Sequence, residues 1–186
     1  MKTSLAHYLS LLALMLIPLS TLRSNPIDLS EGYGPFQWGI SPDILLPAAQ
    51  KAYGSENVTI EQNRVKGLSE KKIIAKTENV KNTFYFIRDS FYAVERESSP
   101  SLSGYYTNQD IDLKEIAKQA ISLYSAPDTV KVDSLAEVTG STNDRVMGIR
   151  VTLSIINKEL FDQEIDHLRS KSPDIYRTLL EPLKKP

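Results

Sequence analysis

The chain contains two histidines, His7 and His167, and no cysteine. His7 lies in an apolar N-terminal stretch, so imidazole chemistry in the body of the chain falls to His167 alone. A Ser–His–Asp triad would have to be built on it. It closes Glu164-Ile165-Asp166-His167, the Glu-x-x-His spacing that puts two metal ligands on one side of a helix. Carboxylate-bridged dimetal sites draw that motif from each of two helices and add further glutamates. Here it occurs once, beside Asp162, and a solvated helix face is the expected role. The lack of cysteine excludes thiol nucleophiles, thiolate metal sites and lipid attachment at a processed N-terminal Cys.

Paired carboxylates are the other chemistry open to this composition. Glycoside hydrolysis needs two acids roughly 5–9.5 Å apart across a sugar. Asp110, Asp112, Glu95 and Glu97 are available, but they fall at expected helix caps and strand edges. No P-loop, dinucleotide glycine pattern, zinc-protease motif, EF-hand loop or nucleophile elbow is present, so no cofactor is expected. Asn57-Val58-Thr59 has the form of a glycosylation acceptor, but it lies within an expected strand.

Aromatic residues point to a surface more than to a reaction. Tyr33, Phe36 and Trp38 lie in a glycine-bearing segment, and Tyr105-Tyr106 follow a serine-rich loop. Aromatics beside loops are what recognition surfaces use. The competing role is structural: Phe36 and Trp38, just ahead of the first helix, could close one end of the core.

These side chains must be positioned by a chain of 186 residues, 41% hydrophobic and 24% charged, a composition proper to a globular protein. Residues 1–24 differ from the rest. Lys2 precedes a short, charge-free apolar run from Tyr8 to Leu19, followed by small polar residues ending at Ser24. That order is a secretory signal peptide. An uncleaved anchor is the other possibility, and the run is shorter than the ~20 residues a span prefers. Either way Lys2 holds the start inside, and residues 25–186 are expected outside the cytoplasm, periplasmic or secreted. With Lys2 and Arg23 gone, the formal charge falls from −1 to −3. Such a surface has no electrostatic footprint for nucleic acid or anionic lipid.

Residues 25–186 read as a single α+β domain, an antiparallel β-sheet with helices packed mainly on one face. Its centre is Thr83 to Glu97, TFYFIRDSFYAVERE, two β-prone aromatic runs about a turn at Asp89-Ser90. With Asn57–Glu61 and Lys72–Thr77 it makes a four-stranded meander. Ser41-Pro42-Asp43 starts a helix that stops at Gly54, with Pro47 requiring either a start near Leu46 or a bend. Asp112 caps a second helix, with Glu115 placed for a capping box and Leu113, Ile116, Ala117, Ala120, Leu123 and Tyr124 on one stripe. Val130 and Val132 begin another strand, and Gly140–Asp144 reads as a turn. Ile149, Val151, Leu153 and Ile155 alternate cleanly, and Asn157 caps a helix. Ser172-Pro173-Asp174 starts a last one. Helix, Tyr53, then strands parallels helix, Tyr124, then strands, which suggests half-repeats over residues 33–97 and 105–186.

The export leader, the Phe36-Gln37-Trp38-Gly39 motif, a helix ending in Tyr53-Gly54 and an aromatic meander together resemble small bacterial periplasmic helix-plus-sheet proteins. Examples are the β-lactamase-inhibitory protein family and the small subunit of the outer-membrane protein assembly machinery. The chain lacks the lipidated Cys of the assembly subunit. The resemblance implies protein binding on a sheet face without a cofactor. The expectation is therefore a non-catalytic binding or envelope-interaction protein, whose partner is another envelope or extracellular protein. The alternatives are a carrier for a small apolar ligand between the sheet and the Asp112–Tyr124 helix, or a hydrolase using acidic residues or His167.

Overall fold

The computed structural model describes residues 26–65, 68–99, 111–142 and 145–173. The expected leader, Tyr105, Tyr106, Asp110 and the helix expected after Asp174 lie outside the described residues.

Helix α1 (Pro42–Tyr53) starts at Pro42, with Ser41 in extended conformation before it and Asp43 in the first turn. Pro47 sits within the helix, so the start does not wait for Leu46. The chain leaves the helix at Gly54 with φ 89°, where a Cβ would come within 2.6 Å of the Glu56 carboxylate. The exposed Glu56 side chain could move aside, but the positive φ would strain any other residue there.

The meander follows as β4 (Val58–Val65), β5 (Leu68–Lys76), β6 (Val80–Ile87) and β7 (Ser90–Ser98). Its central turn falls one residue earlier than the sequence suggests. Ile87 pairs with Ser90, and the two residues between, Arg88 and Asp89, have φ of 48° and 67°. Two left-handed residues form the tight turn whose twist matches the strands. Asp tolerates that conformation; the Arg88 side chain meets Glu164 at 2.8 Å, and Asp89 pairs with Lys71 at 2.8 Å.

Next come α2 (Leu113–Ser122), β8 (Tyr124–Ser125), β9 (Val130–Thr142), β10 (Arg145–Asn157) and α3 (Lys158–Lys171). Asp112 Oδ1 accepts from the backbone N–H groups of Lys114 and Glu115, as expected of the cap. The Glu115 side chain accepts from Gln119, on the following turn of the same helix. Gly140–Thr142, expected as turn, belongs to β9. Irregular pairing around Gly140 and Gly148 lets both glycines lie within the ladder.

The main sheet has six antiparallel strands in the order β4-β5-β6-β7-β10-β9. Ahead of α1, β1 (Ile27–Asp28) pairs in parallel with β8, and β2 (Gly32–Tyr33) pairs with β3 (Phe36–Gln37). The class is therefore α+β. The register decides what each side chain does. Ile73 faces Phe84, Phe84 faces Val94 and Val94 faces Ile155, so these four share one side of the sheet. That side is the core, where Phe84, Phe86 and Phe91 pack with Leu45 and Ala49 of α1. On the same side, Ile116 and Ala120 of α2 pack on Ala136, Ile149, Val151 and Leu153. Helix α3 joins elsewhere, through Phe161 against Tyr92 at 5.5 Å and Glu164 to Arg88. Pairing of β7 with β10 makes one sheet of both halves; the first contributes four of its strands and the second two. Among the described residues no helix is long and apolar enough to cross a membrane.

Candidate functional site

Two places concentrate polar chemistry. The first is inside. The alternation of β6 and β7 carries Asn82 and Arg96 to the core side, directly opposite each other. Tyr33 of β2, Tyr53 at the end of α1 and Tyr124 at the start of β8 close around them. Asn82 is 1% exposed; its Oδ1 accepts from the Tyr33 hydroxyl at 3.3 Å and its Nδ2 donates to the Tyr53 hydroxyl at 3.4 Å. Arg96 Nη1 donates to the Tyr33 hydroxyl at 3.3 Å. One phenol thus ties the N-terminal segment to the two central strands.

Burial sets the protonation of this cluster. Loss of solvent, and then the neighbouring Tyr33 phenol, push Tyr53 and Tyr124 above the ordinary phenol value. Burial alone would lower the Arg96 guanidinium, but the phenols of Tyr33, Tyr124 and Tyr53 outweigh it and leave Arg96 raised. A protonated phenol can donate a hydrogen bond, and the Tyr33 hydroxyl donates to Asn82. The linkage has a definite sign. Unfolded phenols ionise near pH 10, before the folded ones, so the stabilisation is complete below about pH 10 and is lost as pH climbs through the folded values. The denaturant midpoint is expected to fall above pH 10, and Tyr124→Phe should flatten that fall. An equal decline in the variant would show that the phenol is not linked to folding.

The second place is the sheet side turned away from α1 and α2. Register puts Ile74, Tyr85, Glu95, Glu97, Arg150, Thr152, Leu135 and Ile156 there. Lys72 lies over the Tyr85 ring at 5.1 Å, and Arg150 meets Glu97 at 3.6 Å. Towards β9 this side is open: Lys131, Asp133, Glu137 and Arg150 are exposed, and Leu135 is 57% exposed. Towards β4 a solvent-open depression of about 470 Å³ is lined by Thr59, Ile74, Lys76 and Thr77. Another of about 480 Å³ is lined by Asp28, Glu31, Gly32 and Gln37. Neither lies between the sheet and α2, where an apolar ligand would have to sit.

The residues singled out in the sequence are dispersed. Tyr33 is buried with its hydroxyl in the Arg96 cluster. Phe36 is buried edge-on against Phe84 at 5.1 Å. Trp38 is half-buried, stacks on Phe91 at 4.9 Å and donates from Nε1 to the Leu29 carbonyl at 2.9 Å. Phe36 and Trp38 therefore close the end of the core, the structural of their two roles, and Tyr33 offers no ring to a partner. His167 is exposed on α3, and Glu164, its companion in the motif, is engaged by Arg88. Among the described residues no three His, Asp or Glu side chains gather in a way that could hold a metal ion. Asp112 is occupied as a cap, and Glu95 and Glu97 stand on the outer side of β7. Sequence reasoning did not single out Asn82 and Arg96, because Phe84 and Phe86 on one side of the hairpin and Tyr85 and Ile87 on the other leave its alternation without a buried side. Tyr53 and Tyr124 did stand out, as matching helix ends.

Comparison with models of known protein families, with curated proteins and with solved structures found no match for this chain.

Proposed function

We propose that the protein is a non-catalytic binding protein that works outside the cytoplasm and docks a protein partner on the sheet side opposite α1 and α2. The observation that carries this is the mixture on that side. Leu135, Tyr85, Ile74 and Ile156 supply apolar area, and Lys72, Glu97 and Arg150 lie among them with charge of both signs. Apolar contacts combined with charges of both signs are how protein interfaces join affinity to register. The resemblance in element order to the β-lactamase-inhibitory protein family points to the same kind of docking. The Arg96 cluster supports the reading indirectly, because its hydrogen bonds tie the N-terminal segment to β6 and β7 from the other side of the sheet.

Placing a photo-crosslinking residue at Arg150, in the cells that make the protein, should give a discrete adduct with another protein. The same residue at Lys118, on the solvent side of α2, should give none. Equal labelling at both positions, or none at Arg150, would remove the proposed surface.

A further inference from the structure

The β9 edge is unusual in being long and self-complementary. It runs 13 residues, Val130–Thr142, at the end of the sheet, and among the described residues its only strand neighbour is β10. Exposed strand edges pair with other strands unless something blocks them, and here no proline interrupts the edge. Apolar area is exposed on both sides of the strand, at Leu135 on one and Val138 on the other.

We propose that β9 pairs antiparallel with β9 of a second copy, about a two-fold axis at Ser134, joining two sheets into one of twelve strands. The occupant follows from the charge order. Side chains on the outer side of β9 read Lys131, Asp133, Leu135, Glu137. With Ser134 opposite its own copy, Lys131 of each chain faces Glu137 of the other, and Asp133 faces Leu135. Two opposite-charge pairs form and no like charges meet. Moving the axis one residue back sets Asp133 against Asp133. Moving it one residue forward sets Asp133 against Glu137 twice. Directly opposed like charges destabilise a strand pair and opposed unlike charges stabilise it. On the core side the same register places Val130 opposite Val138 and Val132 opposite Ala136, apolar against apolar on either side of the Ser134 pair.

Ser134 supplies an independent sign. Its hydroxyl is buried and has no hydrogen-bond partner among the described residues. A buried hydroxyl left unpaired is unfavourable. In the dimer it lies beside its own copy, and each hydroxyl can both donate and accept. The pairing uses the edge of the sheet and leaves the outer side free, so it stands apart from the docking surface proposed above. A homodimer and a hetero-adduct at Arg150 are also told apart by mass.

Sedimentation of the full chain over a dilution series should show a monomer–dimer equilibrium. Lys131→Glu turns both cross-pairs repulsive and should raise the dissociation constant about tenfold. Adding Glu137→Lys to it should restore dimerisation. In the cysteine-free background, Lys131→Cys with Glu137→Cys should cross-link two chains on mild oxidation. Either cysteine alone should not, because like positions lie six residues apart along the strands, about 20 Å. A monomer at every concentration would overturn the proposal. So would a double charge swap that rescues nothing, or cross-linking by Lys131→Cys alone equal to that of the pair.

Discussion

Replacing Phe84 with alanine is expected to destabilise the fold by about 3–5 kcal/mol. Phe84 is fully buried and sits where three rings converge: Phe36 edge-on at 5.1 Å, Phe91 at 5.8 Å and Tyr33 at 6.4 Å. Deleting it removes the transfer energy of a whole ring and leaves a void on a strand paired on both sides, which has little freedom to collapse. Edge-to-face ring pairs of this kind contribute about 0.5–1.5 kcal/mol each beyond burial, and alanine can form none of them. Domains of this size are stable by about 5–15 kcal/mol, so the loss is a large share of the total. It should appear in urea unfolding as a lower midpoint at unchanged slope. Phe84→Leu keeps most of the apolar volume and should fall between wild type and Phe84→Ala. An alanine variant within about 1 kcal/mol of wild type would mean that the ring is not where the core is densest.

The second large effect is at Asn82, where Asn82→Leu is expected to cost about 2–4 kcal/mol although it makes the core more apolar. The carboxamide satisfies two phenols at once, accepting from Tyr33 and donating to Tyr53. Leucine has as many side-chain heavy atoms but is bulkier, and it takes the acceptor from the buried Tyr33 hydroxyl, at about 1–3 kcal/mol, and the donor from the half-buried Tyr53 hydroxyl. The mechanism can be separated from a packing effect. If unpaired hydroxyls are the cause, Tyr33→Phe should cost less in the Asn82→Leu background than alone, with a coupling of about 1 kcal/mol. Strict additivity would point to shape instead. The cluster also links elements far apart in sequence, 49 residues between Tyr33 and Asn82 and 63 between Tyr33 and Arg96. Loss of Asn82 should therefore loosen the β2–β3 segment as well as the strands.

Much of the local structure was legible because its causes are local. Asp112 and Asn157 cap helices through N–H groups two or three residues on, so the signal and its consequence lie in one short stretch. The alternation of Ile149, Val151, Leu153 and Ile155 is met by burial of all four. The misplacements have equally specific causes. The β6–β7 turn moved from Asp89-Ser90 to Arg88-Asp89 because cross-strand pairing with its irregularity after Tyr85, and not turn propensity, sets which residues are left over. Gly140–Thr142 became strand because β10 offers a partner along its whole length. The aromatics Tyr33, Phe36 and Trp38 went inward because the sheet end needed covering, a demand that no window around residue 36 can express.

Composition and short-range order by themselves determined the α+β class, the meander, the three described helices and the absence of thiol chemistry. Those properties depend on side-chain type and on neighbours within a turn or a strand period. Tertiary structure alone decided that Arg96 and Asn82 would face inward to meet three tyrosines, that Glu164 would reach Arg88, and that β9 would be left as an edge. Each depends on which strand pairs with which, and in what register. That choice is made by the summed burial of apolar area over the whole sheet, because sliding any strand by one residue would exchange its buried and solvated sides.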